Sequence, residues 1–114
     1  MTSRPAELWL AEIIAAGEAL AELVDGGRDQ WIGDKQARRA TYWLACVLGE
    51  AAKGYATSAG IEPGSGPWSA AARFRDRLLH RYYDIDDDEV WRAVSVRVPA
   101  LVEDARAAVD EQED

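Results

Sequence analysis

The segment RDRLLHRYY, residues 75 to 83, gathers the side chains best suited to chemistry. It holds His80, the single histidine of the chain, between Arg75, Arg77 and Arg81, with Tyr82 and Tyr83 directly behind. Arg73 extends the basic row, so Arg73, Arg77 and Arg81 stand at i, i+4 and i+8. On a helix such a like-charge row costs about a few tenths of a kcal/mol per pair. It calls for neighbouring carboxylates or for an anionic ligand such as a phosphate. Asp76 lies four residues before His80, so the two can share one helical face; a carboxylate there would orient the imidazole and favour its charged form. No serine or cysteine is close enough in sequence to suggest a nucleophile with its base, and glycine-rich phosphate loops and metal-ligand motifs are absent. What remains is metal-free chemistry on a phosphodiester. RNA carries its own nucleophile, the 2′-OH. The protein then supplies a base for that proton, an acid for the leaving oxygen and cations for the charge on phosphorus. Arg75 and His80 are the candidate catalytic residues, with Asp76, Arg73, Arg77 and Arg81 in support.

The elements that must carry these residues have a helical period almost throughout. After Pro5, a favourable first-turn residue, Leu10, Ile13, Ile14, Gly17, Leu20 and Val24 mark one apolar face, and DGGRD stops the helix. Asp34 is placed to cap a second helix with the stripe Ala37, Thr41, Leu44, Val47, Leu48, Ala51, Ala52 and Tyr55. Gly49 and Gly54 inside it cost about 1 kcal/mol each relative to Ala and predict close helix packing. Residues 59 to 68 read as a loop, after which Ser69 is expected to cap a third helix running to about His80 or Tyr82. Ala71, Phe74, Leu78 and Leu79 form its apolar stripe, and Arg75 falls inside it. An arginine in that row must be paired, lie at an interface, face a cleft or snorkel from the stripe's edge. The acids of DIDDDE open a fourth helix, where the helix dipole favours them. Val90, Trp91, Val94 and Val98 follow, Pro99 is expected to break or kink the run, and a last segment spans Ala100 to about Val109. The acidic tail, 110 to 114, is expected to fray. The reading is all-α: one domain over residues 1–114, a bundle of four or five helices.

Composition narrows the function classes. Apolar residues make up 48% of the chain, enough for a core, and five tryptophans imply large buried or interfacial surfaces. The net charge of −8 is unlike that of a generic nucleic-acid binder, so an anionic ligand must be met by a local basic patch. One cysteine, Cys46, permits no internal disulfide and reads as a small buried hydrophobe in a reducing cytoplasm. Glu7 and Glu12 interrupt the first apolar run, which is unlike a signal peptide, and no run is long enough for a membrane span. The expectation is a cytoplasmic protein with no membrane partner, no metal and no cofactor.

Arg75, His80 and Tyr82 together form R-x4-H-x-Y, which resembles the signature of the HepT family within the HEPN superfamily of all-helical ribonucleases. LGEAAKGY (residues 48 to 55) resembles the family's Gly-Glu-Ala segment, and Pro67 and Trp68 precede the motif helix as in relatives. YDID, then Val90 and Trp91, and the VPAL segment from Val98 to Leu101 resemble the family's C-terminal portion. The likeness covers about residues 35 to 105. It implies a metal-independent RNase toxin of a toxin–antitoxin pair, a homodimer with the motif at its interface. It also implies an antitoxin of the MntA type, a small nucleotidyltransferase that attaches AMP to the motif tyrosine, by position Tyr82 with Tyr83 beside it. Asp76 stands where relatives often carry Asn, which adds a negative charge beside the phosphate site. A different class of function, a non-catalytic dimeric partner or substrate-presenting subunit of a nucleotidyltransferase, leaves the catalytic pair idle.

Counting also points to assembly. Transesterification is best served by one base and one acid, yet the chain has one histidine. Five helical steps put Arg75 and His80 about 140° apart, so either the helix ends or distorts near His80, or another chain contributes, or both. A two-fold axis beside the third helix would bring two copies of each into one groove lined by residues 73 to 82 of both chains.

Overall fold

The computed structural model describes residues 4–113, and every regular element among them is helical. In chain order they are α1 (Ala6–Val24), α2 (Arg28–Ile32), α3 (Lys35–Ser58), α4 (Gly66–His80), α5 (Asp87–Arg92), a π-helical turn (Ala93–Arg97) and α6 (Val98–Glu113). The all-α expectation holds: three long helices, a helical run from Asp87 to Glu113 and the short α2 make the bundle. α1 packs on α3 and α6, and α3 packs on α4.

The amphipathic faces dictate this packing. Leu10, Ile13 and Leu20 of α1 are fully buried, as are Ala51 and Ala52 of α3 and Ala105 of α6. The helices approach closely where the small residues lie. A Cβ on Gly54 would sit 2.4 Å from the ring of Trp9, and one on Gly17 would sit 2.2 Å from Val102. The one buried polar residue among those described, Thr41, is satisfied twice: its hydroxyl donates to the Ala37 carbonyl (2.7 Å) and accepts from the Trp31 indole N–H (2.9 Å). Trp31 comes from α2, an element that the period alone does not reveal, because five residues are too few to show one.

Helix ends follow their capping chemistry, with two corrections. The Asp34 carboxylate accepts from the N–H groups of Gln36 and Ala37, as expected, and Asp86 accepts from Asp88 and Glu89 at the start of α5. Ser69, in contrast, is not a cap. α4 begins three residues earlier at Gly66, with Pro67 in its first turn, and the Ser69 hydroxyl accepts from the Gly64 N–H (3.1 Å). Gly64, at φ 86°, makes the turn a side chain would resist. Of the break or kink expected at Pro99, the break does not occur. The backbone stays right-handed helical through Arg92, Ala93 and Val98, and the strain is taken up by the π turn immediately before the proline. There the Val98 N–H reaches back five residues to the Ala93 carbonyl, and the Ser95 hydroxyl donates to the Trp91 carbonyl (2.6 Å). The wider turn has a second effect. Val90, Val94, Val98 and Val102 recur every four residues and would drift by about 40° per step on a regular helix. With the π turn all four stay buried. Residues 110–113 continue α6, and Asp114 lies outside the described residues.

Candidate active site at the end of the fourth helix

The motif residues ride on α4, which α3 holds in place. Two contacts fix the antiparallel register of this pair. Tyr55 meets Trp68 edge to face at 4.8 Å between centroids, and Gly49 lies against Ala71 and Arg75. A Cβ at residue 49 would be 2.5 Å from the Arg75 Cβ and 2.8 Å from the Ala71 carbonyl oxygen, so the base of the Arg75 side chain needs glycine opposite it. The arginine is therefore laid along α3 and only 13% of its side chain is exposed. Its guanidinium is paired on two sides: one nitrogen bonds Glu50, and Nε and NH2 both donate to Asp76 Oδ1, at 3.1 and 2.7 Å. Of the four fates open to an arginine in an apolar row, pairing is the one observed.

Asp76 takes a different partner from the one expected. Its carboxylate turns to Arg75, and no hydrogen bond links it to His80 among the described residues. The hydrogen bond from Arg75 holds the Asp76 carboxyl below its usual range, with the charges of Arg75, Lys53 and His80 acting in the same direction. The sequence reading missed Glu50 as a partner of Arg75. The signal lies in LGEAAKGY, where the glycine that admits the arginine and the glutamate that pairs it are adjacent.

His80 is the last residue of α4 and is exposed. The helix neither stops nor distorts before it, so the wide angle from Arg75 persists within one protomer. Tyr82 and Tyr83 follow in the turn, 76% and 74% exposed, packed edge to face at 5.7 Å. The basic row divides. Arg77 is paired with Glu89 (2.8 Å) and lies over the Phe74 ring, Arg81 stands 3.8 Å from Asp84, and Arg73 is exposed with no ion pair among the described residues. On α3, Cys46 is half-buried, and burial pushes its thiol pKa up against the lowering charge of Arg75, which fits the structural role expected for it.

The turn that carries the tyrosines is anchored just beyond, at the start of α5. Asp88 pairs with Arg28 of α2, Glu89 with Arg77 of α4, and Asp87 accepts from the Tyr42 hydroxyl of α3, with Arg38 Nε at 3.7 Å. Burial, together with the Asp87 hydrogen bond and charge, pushes the Tyr42 pKa up to about 12. Three elements thus grip three consecutive acids. Among the described residues no group of three or more His, Cys, Asp or Glu is arranged to hold a metal ion, and no helix is long and apolar enough to cross a membrane.

A family model described as ribonuclease HepT-like matches residues 13–108, nearly the whole helical domain and all of the motif. The chain belongs to the HepT-like ribonuclease family. This HepT-like chain is 32% identical over 71 residues to a Methanocaldococcus jannaschii protein named as an RNase, covering 62% of the chain and 59% of the relative. It is 29% identical over 73 residues to a Thermococcus cleftensis protein named as a ribonuclease HepT, covering 64% and 66%. A Caldanaerobacter subterraneus protein named as an RNase is 28% identical over 101 residues, 88% of each chain. The match therefore spans less than two thirds of the first two relatives' length. No solved structure matches the HepT-like chain at a significant level.

Proposed function

We propose that this chain is a metal-independent endoribonuclease, the toxin of a toxin–antitoxin pair, with Arg75 and His80 as its catalytic residues. The observation that carries the reading is the placement of the motif in a member of a ribonuclease family: Arg75 is braced against α3, and His80 is left accessible at the helix end. The imidazole removes the proton of the 2′-OH, that oxygen attacks phosphorus, and the 5′ oxygen leaves with a proton. The products carry 2′,3′-cyclic phosphate and 5′-OH ends. Arg75 stabilises the charge gathering on the phosphoryl oxygens, while Arg73, Arg77 and Arg81 attract and position the RNA backbone. The phosphate must compete with Glu50 and Asp76 for the Arg75 guanidinium.

A homodimer completes the site. One His80 serves as base and the second as acid. The exposed apolar side chains support this arrangement. Trp43 (70% exposed) lies six residues before Gly49 on α3, and His80 lies five residues after Arg75 on the antiparallel α4. At about 1.5 Å per residue both are carried toward the same end of the pair, beside exposed Leu79. An interface over that end covers Trp43 and Leu79 and faces the two His80 side chains across a shared groove. Tyr82 is the site of modification by an MntA-type nucleotidyltransferase. AMP on its hydroxyl would add a negative charge and occupy the arginines that RNA needs. Expression of the wild type should arrest growth and degrade RNA, and His80→Ala should do neither. Harmless expression with intact RNA in both cases would remove the reading. Light scattering should give the dimer mass, and Tyr82→Phe should escape AMP transfer on co-expression with the cognate transferase.

A further inference from the structure

The flank of α4 that faces away from Arg75 contains a cavity of about 410 Å³, enclosed between the last turns of α4, the turn after it and the start of α5. Its floor is apolar, made by Phe74, Leu78, Ile85 and Val90. Its wall is charged in both signs. Arg77 comes from α4 and Arg81 from the residue directly after it, and Asp84, Asp86 and Glu89 come from the segment beyond. With Arg75 at 0° on the helical wheel, His80 stands at about 140°, Arg77 at about 200° and Arg81 at about 240°. His80 thus lies between the braced arginine on one flank and the cavity on the other.

We infer that this cavity binds one unstacked nucleobase of the RNA, a guanine flanking the phosphodiester that His80 attacks. The inference rests on the ribonuclease reading above and adds to it a determinant of sequence preference. The chemistry follows from what each wall group has left to offer. Single-stranded RNA is read by splaying a base onto aromatic or guanidinium planes and bonding its Watson–Crick edge. The half-exposed Arg77 guanidinium, held by Glu89 and backed by the buried Phe74 ring 5.6 Å away, supplies such a plane. Arg81 remains 65% exposed at the mouth, where the flanking phosphates would lie. Two of the three carboxylates are engaged. Glu89 Oε1 takes both Arg77 Nε (2.9 Å) and NH2 (2.8 Å), and Asp86 Oδ1 caps α5. Asp84 is the one whose oxygens accept no hydrogen bond among the described residues; Arg81, its nearest cation, is 3.8 Å away. A carboxylate held only by a loose ion pair can accept two adjacent donors, and guanine alone among the four bases presents two, N1–H and the N2 amino group, side by side on its Watson–Crick edge. Adenine and cytosine each set one amino group beside an acceptor that a carboxylate repels.

The test uses short single-stranded RNAs that differ only in the nucleotides flanking the cut. Guanosine should be preferred over adenosine by about 10-fold or more, the scale of a charge-assisted hydrogen bond pair. Inosine, which lacks the N2 amino group, should fall between them. Asp84→Asn should erase the preference while leaving cleavage of the adenosine RNA within a few-fold of wild type. A second measurement does not depend on cleavage: guanosine 5′-monophosphate, titrated into His80→Ala protein, should shift the NMR signals of Phe74 and Ile85 more strongly than adenosine 5′-monophosphate does. Equal cleavage of all the RNAs, or a preference that survives Asp84→Asn, overturns the inference and leaves the ribonuclease reading intact. If none of the RNAs is cut by wild type but the guanosine nucleotide still binds through Asp84, the cavity assignment stands and the ribonuclease reading falls. Absence of both preference and binding overturns the assignment.

Discussion

The two flanks of α4 hold their arginines in opposite ways. On the side facing α3, Arg75 lies against a glycine, is almost withdrawn from solvent and has its donors taken by Glu50 and Asp76. On the side facing α5, Arg77 and Arg81 keep about half or more of their surface, and their partners are single carboxylates on a neighbouring segment. Exposed pairs of the second kind contribute between about 0 and 1 kcal/mol and are readily exchanged. A braced cation of the first kind is positioned by packing before any ligand arrives. On the proposed ribonuclease reading, the difference would separate a charge fixed for the reacting phosphate from charges that adapt to the rest of an RNA.

The largest expected effect of breaking this contrast comes at Gly49. Gly49→Val would force its side chain into Arg75 and the Ala71 carbonyl. Overpacking of this kind costs about 1 to 3 kcal/mol, measurable by urea unfolding, and the displaced guanidinium should lower RNA cleavage in protein that is still folded. On the other flank, Arg77→Gln should change stability by no more than about 1 kcal/mol.

Between these lies Tyr42, which ties α3 to the start of α5. Tyr42→Phe should cost about 1 kcal/mol. The sign of its pH dependence is fixed: its folded pKa is raised from 10.0 to about 12, so its contribution is complete below pH 10 and is lost as pH rises through about 12. A spectrophotometric titration should show a late phenolate that Tyr42→Phe removes. Asp76 acts with the opposite sign. Its pKa is lowered from 3.8, so its pairing with Arg75 contributes above that value and fades as pH falls through the lowered one. The smallest effect on stability is expected from Asp76→Asn, which removes one charge from the Arg75 clamp. It should tighten RNA binding by a few-fold at low salt, as followed by fluorescence anisotropy; weaker binding would mean that Asp76 serves the RNA directly.

The long helices and the α3 cap were legible because burial follows a 3.6-residue period and Asp34 precedes a clear stripe. α2 was not, since five residues cannot display a period. The start of α4 was misread because Ser69 has the right chemistry for a cap while Pro67, with its fixed φ, already suits the first turn of the helix. Pro99 was misjudged for a related reason: its missing N–H predicts a disruption but does not say that a π turn upstream absorbs it. At the site, residue types singled out Arg75 and His80, and the resemblance to the HepT signature joined Tyr82 to them. Spacing could not show that Asp76 would face Arg75 instead of His80, because one residue has acceptors within reach of two donors and only packing chooses between them. Glu50 and Asp87 are harder to recognise as partners because they come from other helices, 25 and 45 residues away from the side chains they bind.

The central claim is that Arg75 and His80 together cleave RNA without a metal. It is tested most directly by incubating purified wild type, Arg75→Ala and His80→Ala with a defined RNA in the presence of EDTA and analysing rates and product ends. Expected are 2′,3′-cyclic phosphate and 5′-OH ends from the wild type, with both variants folded and slower by about 10²- to 10⁴-fold. Cleavage undiminished in both variants, or a wild-type activity abolished by EDTA, would contradict the claim.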